Sequence, residues 1–127
     1  MFQEHIQTDK APVPFGHYAQ ATKYGGVIYV SGQLAAKVDG THRCAEPFED
    51  QVQQALQNLI AIVEAGGGDK HTILKVTAYV VGVHHWPTFN TIYAETFGKA
   101  QPARAVVPVP ALHHGYLIEL DAIAAVL

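Results

Sequence analysis

Residues 115–127, "GYLIELDAIAAVL", decide the fold. A β-strand sends alternate side chains to opposite faces of its sheet. Ile118, Leu120, Ala122 and Ala124 then share one face, and Leu117, Glu119, Asp121 and Ile123 share the other. The first face is wholly apolar and must be covered by other parts of the chain. The second mixes two carboxylates with large aliphatic groups. So apolar a face is a liability on a lone monomer, and the sheets of neighbouring subunits would cover it. Glu119 and Asp121 then fall in or beside an interface, where a cleft between subunits can form.

The cover for the first face lies upstream. In "EPFEDQVQQALQNLIAIVEAGGG", residues 46–68, Val52, Ala55, Leu56, Leu59, Ile62 and Val63 recur at three- and four-residue spacing. That spacing predicts a helix over 47–65 with one buried stripe. Pro47 suits a first helical residue, Glu49 and Asp50 suit the positive first turn, and the glycines at 66–68 end the helix. "WPTFNTIYAETFG", residues 86–98, reads as a second helix that buries Phe89, Ile92, Tyr93 and Phe97 and stops at Gly98. The β-branched and aromatic run "VIYVSGQ", 27–33, is a strand. Further strands are expected at 18–23, 72–83, 103–109 and 115–126. Residues 11–17, "APVPFGH", read as an ordered loop, and 37–46 as a polar loop or hairpin turn around Asp39-Gly40. This order makes an α+β fold, with two helices on one face of a mixed sheet.

The 127 residues suffice for one domain spanning 1–127. Charged residues make up 15% of the chain, below the usual quarter. Either little surface is charged or some of it is covered by another subunit. The net charge is −3 and the eight Lys and Arg are scattered singly, so nucleic acid is not an expected partner. Cys44 is the only cysteine, which excludes an intrachain disulfide, fits a reducing compartment and reads as an idle surface thiol. The N-terminal "MFQEHIQTDK" is too polar for a signal peptide, and no apolar run approaches a membrane span. A soluble, cytoplasmic protein without a membrane partner is expected.

Few residues are placed for chemistry. Arg104 stands in an apolar strand; its planar fork of donors matches a carboxylate, but an ion pair with Glu119 or Asp121, or a solvated strand end, would also account for it. Glu119 is either a desolvated acid suited to proton transfer near neutral pH or a side chain that reaches water at a sheet edge. Asp121 shares its face roughly 7 Å away and would raise the pKa of the pair. The adjacent pairs His84-His85 and His113-His114 point apart in a strand, and no metal-ligand spacing occurs, so no metal is expected. Ser31 lacks the flanks of a nucleophile elbow, and the glycines at 66–68 lack phosphate-loop spacing.

Several stretches together resemble one family. "APVPFGHYAQA" resembles its "AP…GPYSQA" loop, and "GGVIYVSGQL" its strand ending in Ser-Gly-Gln. "QVQQALQNLIAIVEAGG" and "FNTIYAETF" resemble its two helices. "PARAVVPVPAL" followed by "IELDAIA" resembles its "PARS.V.V..LP" and "VEIEAIA". The likeness is to the RidA/YjgF family, also called L-PSP or reactive intermediate deaminases, and it runs in order over nearly the whole chain.

The resemblance implies a chorismate-mutase-like fold assembled as a homotrimer, with the sheets packed into a central barrel and a cleft at each subunit interface. It implies hydrolysis of reactive enamine or imine intermediates to 2-oxo acids and ammonia, with no metal or organic cofactor. The family's carboxylate-binding arginine falls on Arg104 and its catalytic glutamate on Glu119. Tyr18, Ser31 and Asn90 fall on shared positions, and Val106 on a cleft position expected to act partly through its main chain. His17 stands where the family usually has proline; beside Tyr18 it either lines or gates the cleft mouth or is an exposed loop histidine. Ala19 replaces a serine, Ala105-Val106 a Ser-Cys, and His113 the proline of "LP". These departures leave the preferred substrate open. A trimeric carboxylate-binding protein without catalysis is the alternative; an endoribonuclease or translation inhibitor fits the acidic charge less well.

Overall fold

The computed structural model describes residues 2–127. Six strands form one sheet: β1 (Glu4–Ile6), β2 (Ala21–Tyr24), β3 (Val27–Gln33), β4 (Ile73–Val81), β5 (Ala103–Val109) and β6 (Ile118–Ala125). Their order is β1-β2-β3-β6-β4-β5. All neighbours are antiparallel except β4 and β5, so the sheet is mixed. The parallel pair needs a crossover, and α2 (Trp86–Phe97) supplies it. The longer helix α1 (Phe48–Ala65) links β3 to β4 and packs on β3, β6 and α2.

The period-two reading of the last strand holds residue by residue. Burial alternates along β6, with Ile118, Leu120, Ala122 and Ala124 buried. They meet the α1 stripe, in which Val52, Ala55, Leu56, Leu59, Ile62 and Val63 are all buried. Phe89, Ile92, Tyr93 and Phe97 bury the inner side of α2 as expected. Gly66 lets the end of α1 close onto the sheet, since a Cβ there would lie 2.8 Å from Ile28 Cδ1. The other face stays open: Tyr24, Tyr29, Leu74 and Val107 are exposed.

Several boundaries differ from expectation. The strand expected at 18–23 runs over Ala21–Tyr24, because residues 15–18 turn back on themselves and the Tyr18 hydroxyl accepts the Phe15 N–H at 3.1 Å. β4 is shorter than 72–83, with single 3₁₀ turns at Lys70–Thr72 and Val83–His85 on its flanks. β6 begins at Ile118 rather than 115, after another such turn at His113–Gly115. Pro47 caps α1 from outside rather than occupying its first turn, and its carbonyl accepts the Gln51 N–H. β1 was not anticipated; three residues with one buried apolar side chain carry no periodicity. Cys44 is half-buried against the core rather than on the surface. Among the described residues no helix is long and apolar enough to cross a membrane.

Three buried amides hold the irregular segments, whose backbone groups have no ladder partners. Gln20 donates to the carbonyls of Thr8, Ala11 and Pro12 and accepts the Thr8 N–H. Gln51 donates to the Cys44 and Glu46 carbonyls and accepts the Leu117 N–H, tying the 42–46 loop to the start of β6. Asn58 donates to the Leu34 and Ala36 carbonyls. None was singled out from the sequence, where a glutamine in a polar stretch gives no sign of burial.

Candidate functional site

Glu119 stands half-buried on the open face of β6. Beside it, opposite Asp121 across the β3–β6 pair, the ladder shifts register between Val30 and Gln33. The irregularity contains Ser31 and Gly32. A bulge of this kind re-aims side chains at a sheet's working edge. The Ser31 amide donates to the Gln20 carbonyl and its Oγ to the Ala19 carbonyl at 2.6 Å, which fixes the strand to the loop that carries Tyr18. Gly32 leaves the space the carboxylate fills, for a Cβ there would lie 2.7 Å from Glu119 Oε2.

The result is a cavity of about 460 Å³ lined by Phe15, Gly16, Tyr18, Ser31, Gly32, Leu34, His113 and Glu119. Burial pushes the Glu119 carboxyl above its ordinary pKa, the charge of Asp121 pushes it further, and His113 opposes both. Asp121 accepts a hydrogen bond from the Tyr79 hydroxyl at 3.3 Å. The carboxylate of Asp121, then burial, holds the Tyr79 phenol above its ordinary range. An acid with a raised pKa on an accessible cavity is poised to exchange protons with a bound molecule.

Arg104 lies elsewhere. It pairs in register with Val76 of β4, which is buried under the helices, whereas Glu119 pairs with Tyr79 on the open face. One sheet therefore separates the two side chains within a chain, and the ion pair considered for Arg104 does not form there. Its guanidinium sits 4.9 Å from the Tyr93 ring centre and 5.7 Å from that of Phe89, and Nη1 donates to Asn90 Oδ1 at 3.0 Å. This aromatic shelf on α2 favours the cation through the ring faces. Arg104, Asn90 and Tyr93 line a second cavity of about 240 Å³. Burial pushes the Tyr93 phenol up to about 12 against the pull of Arg104, and its hydroxyl finds no partner among the described residues.

The expected site residues thus fall into two groups. Tyr18, Ser31 and Glu119 share the first cavity, and Arg104 and Asn90 share the second. His17 lines neither. It opens on a third hollow of about 500 Å³ with His5, Gly16 and Tyr18, which adjoins the first through Gly16 and Tyr18. Val106 is partly buried against the core beyond Arg104. Phe15 and Gly32 were missed as site residues; the bulge that brings Gly32 beneath Glu119 has no signature beyond the glycine itself. Among the described residues no three His, Cys, Asp or Glu side chains gather as a metal-ligand set.

The profile of the family described as Endoribonuclease L-PSP matches residues 8–126. A RutC family protein of Pyrococcus horikoshii is 38% identical over 122 residues, which cover 96% of this chain and 97% of the relative. The 2-iminobutanoate/2-iminopropanoate deaminase of Dermatophagoides farinae is 33% identical over 121 residues, covering 95% and 94%. The crystal structure of RidA from an Antarctic Psychrobacter species superposes with a TM-score of 0.92 at 35% identity, covering 97% of this chain and 99% of that one.

Proposed function

The chain belongs to the Endoribonuclease L-PSP family, which includes the RidA and RutC proteins, and from that premise we propose that it hydrolyses reactive 2-imino acids to 2-oxo acids and ammonia. The observation that carries the reading is the setting of Glu119: a carboxyl with a raised pKa on an open cavity, beside the hydroxyls of Tyr18 and Ser31. Relatives named as 2-iminobutanoate/2-iminopropanoate deaminases support the reaction class.

In this reading three chains assemble with their open sheet faces inward as a central barrel. The trimer covers Tyr29, Leu74 and Val107, and it brings Arg104 of one subunit to the Glu119 cavity of the next. Arg104 grips the substrate carboxylate in a bidentate pair while Asn90 and the Tyr93 ring keep the fork in place. That grip sets the distance between the electrophilic C2 and a water held by Glu119. Glu119 takes a proton from the water as its oxygen bonds to C2 and the C=N electron pair moves to nitrogen. The protonated acid then returns the proton to that nitrogen. Glu119 then takes the hydroxyl proton and hands it to the amino nitrogen as the C–N bond breaks and the C=O bond forms, so that nitrogen leaves as ammonia and Glu119 is again a carboxylate. One raised pKa serves both the base and the acid step. His17, on the hollow that adjoins the Glu119 cavity, and the Val106 main chain, beyond Arg104, bear on which side chain the cleft accepts.

The test is ammonia release from imines generated in situ by an L-amino-acid oxidase. The full chain should accelerate release well above the buffer rate, and Glu119→Gln should abolish most of the acceleration. No acceleration with any imine, while an unreactive 2-oxo acid still binds and Arg104→Ala abolishes that binding, would leave a carboxylate-binding protein in place of the enzyme.

A further inference from the structure

One wall of the Glu119 cavity is built of rings that the proposed chemistry does not use. Phe15 and His113 line it. Behind them His42 lies against His114 at a tilt of 32° with centres 4.0 Å apart, Phe15 sits 5.3 Å from His42, and His113 meets His114 edge-on at 4.2 Å. The pile has a rigid footing. Tyr116 is buried, and its hydroxyl accepts the Arg43 N–H at 3.0 Å and hydrogen-bonds His42 Nδ1 at 2.8 Å.

The backbone under the pile is itself unusual. His114 has φ 60, the one positive value outside glycine among the described residues. A side chain other than glycine is uncommon in that left-handed region, although histidine enters it more readily than a β-branched residue would. Gly115, next in the chain, also has a positive φ, of 79, so two successive left-handed residues turn the chain beneath the rings.

The chemistry of the wall limits what it can receive. Loss of solvation beside the neighbouring rings, then the charges of His42 and His113, hold the His114 imidazole below its ordinary pKa. The cavity is lined by no lysine or arginine, and Leu34 adds an apolar side. A second carboxylate on the substrate would find no fixed cation there. At about 460 Å³ the space is of the size that takes drug-sized ligands. Rings attract rings in offset or edge-on pairs, whereas a short aliphatic chain would leave the wall bare.

We propose that the ledge of Phe15 and His113, backed by His42 and His114, is a side-chain subsite that selects 2-imino acids bearing a planar aromatic side chain. It rests on the deaminase reading for the placement of the reacting carbon at Glu119. It adds to that reading the substrate class.

The experiment compares imines made from L-phenylalanine and from L-alanine, by kcat/KM for ammonia release. Binding of unreactive phenylpyruvate and 2-oxobutyrate to the full chain is measured alongside by titration calorimetry. The wild type should prefer the aromatic partner by about tenfold in both readouts, the worth of one good ring contact. His113→Ala and His114→Gly should each remove most of that ratio. Glycine tolerates φ 60, so His114→Gly should keep the melting temperature while losing the selectivity. A wild-type ratio near one, or a ratio unchanged in both variants, overturns the proposal. So does a loss of the oligomer in both variants, which would make the ledge a subunit contact. If no imine is turned over but phenylpyruvate still binds more tightly and His113→Ala erases the difference, the subsite stands and the deaminase reading falls.

Discussion

Arg104 and Glu119 face away from each other across one sheet: the first stands over the α2 shelf and the second on the open face. If they act on one substrate, they must come from different subunits. Light scattering should then give about three times the 13.7 kDa chain mass. Arg104→Ala and Glu119→Gln should each be inactive alone. Mixed and reassembled one to one, they should recover about a quarter of wild-type turnover, since a random cleft joins an intact arginine to an intact glutamate in that proportion. No recovery in verified mixed oligomers would mean that the two residues serve separate sites.

The raised pKa of Glu119 makes both activity and stability depend on pH. The carboxylate is the active base, so kcat/KM should fall on the acid side at a pH above the ordinary carboxylate range. Asp121→Asn removes a like charge and should move that limb to lower pH. Glu119→Gln should lower kcat by about 10²–10⁴. For stability the sign runs the other way. A folded pKa above the unfolded one favours the protonated protein, so this contribution is present below the unfolded pKa and lost as pH rises through the folded one. Glu119→Gln should therefore melt higher than wild type at neutral pH, with the gain shrinking as pH falls through that window. Equal melting curves at all pH values would contradict the burial of the charge.

Gly32→Ala tests the seat of the carboxylate. The new Cβ would lie 2.7 Å from Oε2 and 3.1 Å from Cδ of Glu119. The Glu119 side chain is flexible and half-exposed, so it can swing aside at small cost to folding. Its position over the cavity would be lost, and a displacement of about 1 Å can cost on the order of 10²-fold in rate. Turnover should drop far more than the melting temperature. Full turnover in this variant would show that the carboxylate need not sit against β3.

Leu59 lies at the centre of the α1 stripe and is fully buried. Leu59→Ala should cost about 2–5 kcal/mol in chemical denaturation. A loss of only a few tenths would mean that α1 can settle into the space left behind.

Amphipathic order was legible in the chain before any coordinates. The alternation of residues 118–124 named the face of β6 that α1 covers, and the three- and four-residue spacing of 52–63 named the matching face of the helix. Both signals arise because a regular backbone repeats its direction at a fixed period. The likeness of "IELDAIA" and "PARAVV" to a known family likewise drew attention to Glu119 and Arg104.

Irregular segments have no period, and they decided the rest. Gln20, Gln51 and Asn58 became buried because loops must satisfy their own carbonyls, a demand that exists only once those loops are folded over the sheet. The β3 bulge put Gly32 under a carboxylate from the far end of the chain. His42 met His114 through the fixing of both loops on Tyr116. The sequence by itself determined which face of β6 is apolar and that Glu119 and Asp121 lie on the other. Only the tertiary structure decided that Arg104 and Glu119 stand on opposite sides of the sheet, because strand pairing and register, which depend on contacts distant in the chain, set the side to which each residue turns.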